Sequence, residues 1–181
     1  MPGIDEGIPF RPVKIAILTV SDSRTLDDDR SGNILVERLV DYGHLLAARK
    51  IVKDETADIV AQLKSWINDD GVEAVISTGG TGVTGRDITP EAFAQVYEKE
   101  VAGFGELFRM LSYKTIGTST IQSRATAGVA KGTYLFALPG SPGACKDGWD
   151  LILKDQLDIR HKPCNFAELM PRLREHEAAA S

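Results

Sequence analysis

Residues 13–20, VKIAILTV, form an unbroken, largely β-branched apolar run rather than an alternating one. That pattern predicts a strand covered on both faces. Further on, Ser31 offers a helix N-cap, Leu35, Val36, Leu39 and Val40 recur on one helical face, and Gly43 supplies a stop. Residues 45–54, LLAARKIVKD, read as a second strand. Thr56 caps a second helix, with Ile59, Val60, Leu63, Trp66 and Ile67 on its apolar face and Gly71 at its end. Residues 73–78, EAVIST, read as a third strand. Thr89-Pro90 opens another helix, because proline fits the first helical position. Phe104, Leu107, Phe108 and Leu111 mark a further helical face. Residues 133–139, TYLFALP, make a fourth strand, and Cys145, Trp149, Ile152, Leu153 and Leu157 line the helix after it. Strands alternating with helices predict an α/β fold with a mostly parallel sheet and helices on both faces.

The chain has 181 residues, enough for one domain with a sizeable core. No internal repeat or linker interrupts it, and residues 13–166 are expected to form that domain. Residues 1–12 and 167–181 are polar or small and lack periodicity, so both ends are expected to be largely flexible. The net charge of −5 argues against a broad nucleic-acid or membrane surface, both of which rely on clustered positive charge. No apolar run approaches a membrane span, and MPGIDEGIPFRP lacks the basic-then-apolar start of a signal peptide. A cytoplasmic protein is expected. Cys145 and Cys164 lack metal-ligand spacing, and each is read as a buried or shielded thiol.

In open parallel sheets, ligands bind outside the carboxyl ends of the strands. Here those ends carry Ser21-Asp22-Ser23, Asp54-Glu55, the loop from Thr78 to Asp87, and residues 139–143, PGSPG. Together they could furnish one polar rim. Gly80, Gly82 and Gly85 have the G-x-G-x-x-G spacing of a dinucleotide loop, yet they follow the third strand instead of the first. About ten residues separate Thr78 from the helix start, too many for that tight turn. Hydride chemistry on NAD or FAD is therefore a poor fit. A longer glycine loop still admits phosphates, since glycines let backbone N–H groups approach an anion. It is not a Walker loop, because no Lys-Ser or Lys-Thr pair follows. Asp87 beside such a loop repels phosphate unless a cation lies between, which suits Mg²⁺ held by one or two carboxylates plus phosphate oxygens. Asp54 is the second candidate. On residue chemistry alone, a helix-capping Asp87 and a strand-ending Asp54 stand equally well. His44, His161 and His176 fall outside this rim and read as surface or packing residues.

Seven segments occur in order: ILTVSDSR, DRSGN, VKDE, STGGTGVTGRDITPEA, GFGELFR, TSTIQSRATAG and LPGSPGAC. Over residues 13–166 the chain resembles the MogA/MoaB family of molybdenum-cofactor biosynthesis, related to the gephyrin G domain, with the MoaB branch most similar. The resemblance implies a three-layer α/β/α domain that assembles as a trimer or hexamer. It implies Mg²⁺-dependent adenylylation of molybdopterin by ATP, in which the pterin's terminal phosphate attacks the α-phosphorus and pyrophosphate leaves. A separate molybdate-insertion protein would receive the product. By motif, Asp54 and Asp87 match the two catalytic, Mg²⁺-holding carboxylates. Gly79, Gly80, Thr81 and Gly82 match the nucleotide loop, and Pro139, Gly140 and Ser141 the loop closing on the adenosine. Ser31, Gly32 and Ser112 match the molybdopterin side, where Arg30 and Arg124 are lesser candidates, as phosphate ligands. Some MoaB-branch members bind the pterin without the chemistry, which leaves a binding and handover protein as the alternative. This chain keeps both carboxylates.

Overall fold

The run at residues 13–20 becomes a strand buried on both sides, and the rest of the fold is layered on it. The computed structural model describes residues 2–178. In chain order the strands are β1 (Gly3–Ile4), β2 (Lys14–Val20), β3 (Leu45–Val52), β4 (Ala74–Thr78), β5 (Lys99–Glu100), β6 (Thr126–Ala130), β7 (Thr133–Leu138) and β8 (His161–Lys162). The principal helices are α1 (Arg30–Tyr42), α2 (Thr56–Ile67), α3 (Thr89–Ala94), α4 (Ala102–Ile116) and α5 (Pro142–Gly148). A six-stranded sheet runs β3-β2-β4-β7-β6-β5, while β1 and β8 form a separate antiparallel pair. The four strands from β3 to β7 are parallel; β6 runs against them, and β5, antiparallel to β6, returns to their direction.

Residue alternation in β2 explains the three layers. Ile15 and Ile17 face a core shared with Leu35 and Leu39 of α1, Phe104 and Phe108 of α4, and Cys145, Trp149, Ile152, Leu153 and Leu157. Ala16, Leu18 and Val20 face the opposite core, with Ile59, Leu63, Trp66 and Ile67 of α2 and Phe93 of α3. Successive side chains point to opposite faces, so an uninterrupted apolar strand needs helices on both. This is the α/β/α arrangement expected from the sequence, with a central sheet flanked by helices.

Several boundaries differ from the sequence reading. Asp29, not Ser31, caps α1: its Oδ1 accepts the Gly32 N–H at 2.9 Å. Gly43 stops that helix as expected, at φ 103°. The α2 helix ends at Ile67, four residues before Gly71. In α4, Phe104 and Phe108 are buried, whereas Leu107 is exposed. The strands β5 and β6 were not foreseen. A turn through Lys131 (φ 46°) and Gly132 (φ 84°) joins β6 to β7. Both central residues have positive φ, as a two-residue hairpin with the twist of its strands requires.

The ends of the chain make specific contacts. Gly3 and Ile4 pair with Lys162 and His161, and Phe10 packs against Tyr42 and His44. Ala167 is fully buried, and Met170 and Leu173 pack on the same core as α1. The expectation of flexibility for Met1 and residues 179–181 falls outside the described residues. Cys145 is buried as expected, but Cys164 is exposed, because the loop after β8 turns Asn165 inward. Asn165 caps the next helical turn through Glu168 N–H at 2.7 Å and donates to the His161 carbonyl at 2.8 Å. Among the described residues, no helix is long and apolar enough to cross a membrane.

Candidate functional site

The four polar strand ends do meet on one rim. Ser21 N–H, after β2, donates to Val52 O of β3 at 2.9 Å. Asp54 N–H donates to Asp22 Oδ1 at 3.2 Å. Gly79 N–H, after β4, donates to Leu138 O of β7 at 3.1 Å, and Thr78 Oγ1 donates to Pro139 O at 3.0 Å. Ser31 Oγ, in the first turn of α1, donates to Gly140 O at 2.8 Å. Each loop is thus held by its neighbour.

The glycine loop is shaped by close approach. Gly79 has φ 107°, and a Cβ there would overlap the Val20 carbonyl oxygen. Gly80 has φ 65°, and its Cβ would overlap Thr89 Oγ1 and stand 3.2 Å from Asp54 Oδ1. A Cβ on Gly82 would lie 2.7 Å from Asp87 Oδ2. Asp54 and Asp87 therefore lie against two glycines of the same loop, where an added side chain would displace the carboxylates. Thr89 closes the loop: its N–H donates to Gly80 O at 2.9 Å and its Oγ1 to Gly79 O at 2.8 Å.

The two carboxylates are held in opposite protonation tendencies. Burial, then the charges of Asp22 and Asp87, push the Asp54 carboxyl above its ordinary value, outweighing Arg86. Burial also works against ionised Asp87, but the Thr84 hydroxyl and N–H, the Gly82 backbone and the Arg124 charge hold it below the usual range. Thr84 N–H and Oγ1 both reach Asp87 Oδ2, at 2.8 and 2.7 Å. Beside them, Arg86 bridges the loops, reaching Asp22 Oδ2 at 2.7 Å and Glu55 Oε1 at 3.0 Å.

These donors fit a hard divalent cation. Neighbouring carboxylates raise Asp54's proton affinity, and a cation would relieve the same repulsion. Among the described residues, no group of three or more Asp, Glu, His or Cys forms a closed metal cage. Two carboxylates leave coordination positions for substrate oxygens, the arrangement Mg²⁺ favours.

A cavity of about 350 Å³ opens on the other side of the glycine loop. Thr81, Gly82, Phe108, Ser112, Pro139 and Ser141 are among its lining residues. Thr81 is buried, and its hydroxyl oxygen is one of the few buried side-chain polar atoms without a hydrogen-bond partner. Ser112 thus joins the rim through this cavity. Gly32 is needed for packing, since a Cβ there would overlap Asp29 Oδ2. Arg30 is exposed at the start of α1, and its side chain has no hydrogen-bond or ion-pair partner among the described residues. Arg124 is committed within the chain: Nε donates to Gly82 O and Nη2 to Asp87 O, both at 2.6 Å, while Nη1 pairs with Glu91.

Sequence reasoning missed Asp29 as a site-building residue. It is buried, accepting from Thr19 Oγ1 at 2.6 Å and Arg49 Nη2 at 3.1 Å as well as from Gly32. Its signal was present in D-R-S-G-N, an acidic residue just before a helix start.

Polar loops at the carboxyl ends of parallel strands, a glycine loop and paired carboxylates give this α/β protein one candidate binding rim. A "Probable molybdopterin binding domain" matches residues 16–159. "Molybdenum cofactor biosynthesis protein B" of Escherichia coli (strain K12) is 51% identical over 157 residues, covering 87% of this chain and 92% of the relative. A crystal structure of Molybdenum cofactor biosynthesis protein B superposes with a TM-score of 0.79 at 39% identity, over 81% of this chain and 92% of that one. The tungsten cofactor synthesizing protein MoaB from Pyrococcus furiosus gives 0.71 at 37%, over 80% and 92%. The chain belongs to the MoaB/MogA family of molybdenum-cofactor biosynthesis proteins.

Proposed function

We propose that the protein transfers an adenylyl group from ATP to molybdopterin in a Mg²⁺-dependent reaction. The observation that carries this reading is the placement of Asp54 and Asp87 against Gly80 and Gly82 of one loop. Both substrates are polyanions, so the barrier is largely repulsion and positioning, and no protein nucleophile is needed. Asp54 and Asp87 would hold Mg²⁺, whose charge neutralises phosphate oxygens when bound. In the glycine loop, residues 79–82, Gly79 shapes the turn while Gly80, Thr81 and Gly82 offer backbone N–H groups to the nucleotide phosphates, and residues 139–141 border the same opening. The cavity beside Thr81 and Ser112 receives the pterin and aims its terminal phosphate at the rim. An oxygen of that phosphate bonds to the α-phosphorus, the bond to the bridging oxygen breaks, and pyrophosphate leaves.

A trimeric or hexameric assembly belongs to the same proposal. Leu107, Met110, Tyr113 and Ile116 of α4 and the nearby Ile121 are exposed, a quantity of apolar surface suited to a subunit contact. So does a cytoplasmic location, with handover to a molybdate-insertion protein. The test is direct: incubate the protein with molybdopterin, ATP and Mg²⁺ and look for adenylyl-molybdopterin and pyrophosphate. Pterin binding without product would favour a binding and handover protein. Equal background from wild type and Asp87→Ala would remove the catalytic assignment.

A further inference from the structure

Between Gly82 and Asp87 the chain arches outward through Val83, Thr84, Gly85 and Arg86, all exposed. None of its side chains packs in the core, and its crest is tied down only by the exposed ion pairs of Arg86 with Asp22 and Glu55. Yet Asp87, at its far foot, is the residue whose position matters. Both feet are held by one side chain. Arg124 lies just before β6, and its guanidinium spans Gly82 O and Asp87 O at 2.6 Å each. Its third nitrogen pairs with Glu91 in the first turn of α3. Its backbone N–H donates to Thr81 O at 2.9 Å. Within the arch, Asp87 N–H returns to Thr84 O at 3.0 Å.

We infer that Arg124 is a positioning residue, which fixes Asp87 by clamping both feet of this arch, and not a ligand of substrate phosphate. The inference rests on the proposed role of Asp87 but makes its own claim about Arg124. The planar guanidinium is suited to the task, since its N–H groups leave in a rigid fork toward separate acceptors. Lysine carries the same charge on a single nitrogen and cannot span carbonyls on the two feet while also reaching Glu91. A role through charge alone would survive Arg124→Lys; a clamp would not.

The test uses the full-length protein and three variants, Arg124→Lys, Arg124→Gln and Glu91→Gln, each first confirmed as folded by near-ultraviolet circular dichroism. Hydrogen exchange at the Thr84, Asp87 and Thr89 amides is expected to quicken in both Arg124 variants alike. Mn²⁺ affinity, read by electron paramagnetic resonance, is expected to weaken, and adenylylation at saturating ATP to fall about 100-fold, the loss typical of a misplaced reacting group. The affinity for inorganic pyrophosphate is expected to stay within about twofold of wild type, since no phosphate contact is removed. Glu91→Gln, which spares both carbonyl contacts, is expected to lie in between. Unchanged exchange with a large loss of pyrophosphate affinity would overturn the inference and make Arg124 a phosphate ligand. Full rescue by lysine would overturn it too. If wild type yields no adenylylated product, the proposed function fails, while exchange and pyrophosphate binding still decide the clamp.

Discussion

Gly140 rests directly on Gly79: a Cβ on Gly140 would stand 3.3 Å from the Gly79 Cα. The loop after β7 therefore lies on the loop after β4 with no side chain between them. Gly79 is constrained a second time by its φ of 107° and by the Val20 carbonyl. Gly79→Ala is expected to destabilise the fold by more than about 1 kcal/mol, because alanine is strained at positive φ. Urea unfolding of the variant beside wild type measures it, and an unchanged midpoint would contradict the packing described.

Asp54 carries a stability cost at neutral pH. Its carboxyl is pushed above the ordinary value, so the folded state binds its proton more tightly than the unfolded one. Stability from this group is present at low pH and is lost as pH rises through the raised folded value. Asp54→Asn is expected to stabilise the ligand-free protein at neutral pH by about 0.5–1 kcal/mol, a gain of the kind seen when a strained site is relaxed. The same variant should lose Mn²⁺ binding and adenylylation. Thermal unfolding with and without Mn²⁺ separates the two effects.

His44 predicts the acid limit of the fold. It is buried, its Nδ1 accepts the Val13 N–H at 3.1 Å, and Nε2 has no partner. Burial holds its pKa down at about 4, against the opposing charges of Asp158 and Glu73. The unfolded chain takes up this proton first, so stability is full above about pH 6.5 and falls as pH drops toward 4. The loss attributable to this group approaches about 3 kcal/mol. His44→Gln should flatten the stability profile between pH 6.5 and 4 in denaturant titrations.

Asp29 is the acceptor on which three donors converge. Asp29→Ala would leave the partly buried Arg49 without its carboxylate, and Thr19 Oγ1 and Gly32 N–H without acceptors. Breaking a buried pair on one side typically costs about 3–5 kcal/mol. A loss under about 1 kcal/mol in urea unfolding would show that water replaces these contacts.

The two thiols should separate in a titration with a disulfide reagent. Cys164 is exposed and should react in the native protein. Cys145 is buried, its thiol pushed up to about 11 by burial, and should react only on unfolding.

The parallel half of the fold was legible because each strand is an apolar run and each helix repeats its apolar residues at helical spacing. The rim was legible because all four parallel strands end in glycines, hydroxyls or carboxylates. What escaped was β6, Thr126–Ala130: TAGVA is made of small residues, and its Lys131-Gly132 turn lacks the Asn-Gly or Asp-Gly cue of a tight hairpin. Ser31 was read as a cap because its hydroxyl sits at the helix start. The buried Asp29 carboxylate competes better, since it also answers Arg49 and Thr19. For Arg124 the sequence reports a charge suited to phosphate but not the Gly82 and Asp87 carbonyls to which it donates.

The reversal of β6 also bears on when the rim can form. The glycine loop is made early in the chain, but Arg124 and residues 139–141 arrive only with the last two sheet strands. A nascent chain ending before Arg124 carries the loop and both carboxylates without the side chain that spans Gly82 and Asp87. The β6–β7 hairpin is local, but its docking is not: β7 pairs in parallel with β4, far back in the chain, and completion of the site is thereby tied to a non-local pairing of the slow class. Shortened chains lacking that hairpin would leave Gly82 and Asp87 unspanned, so the rim is complete only after the loop that follows β7 has been made.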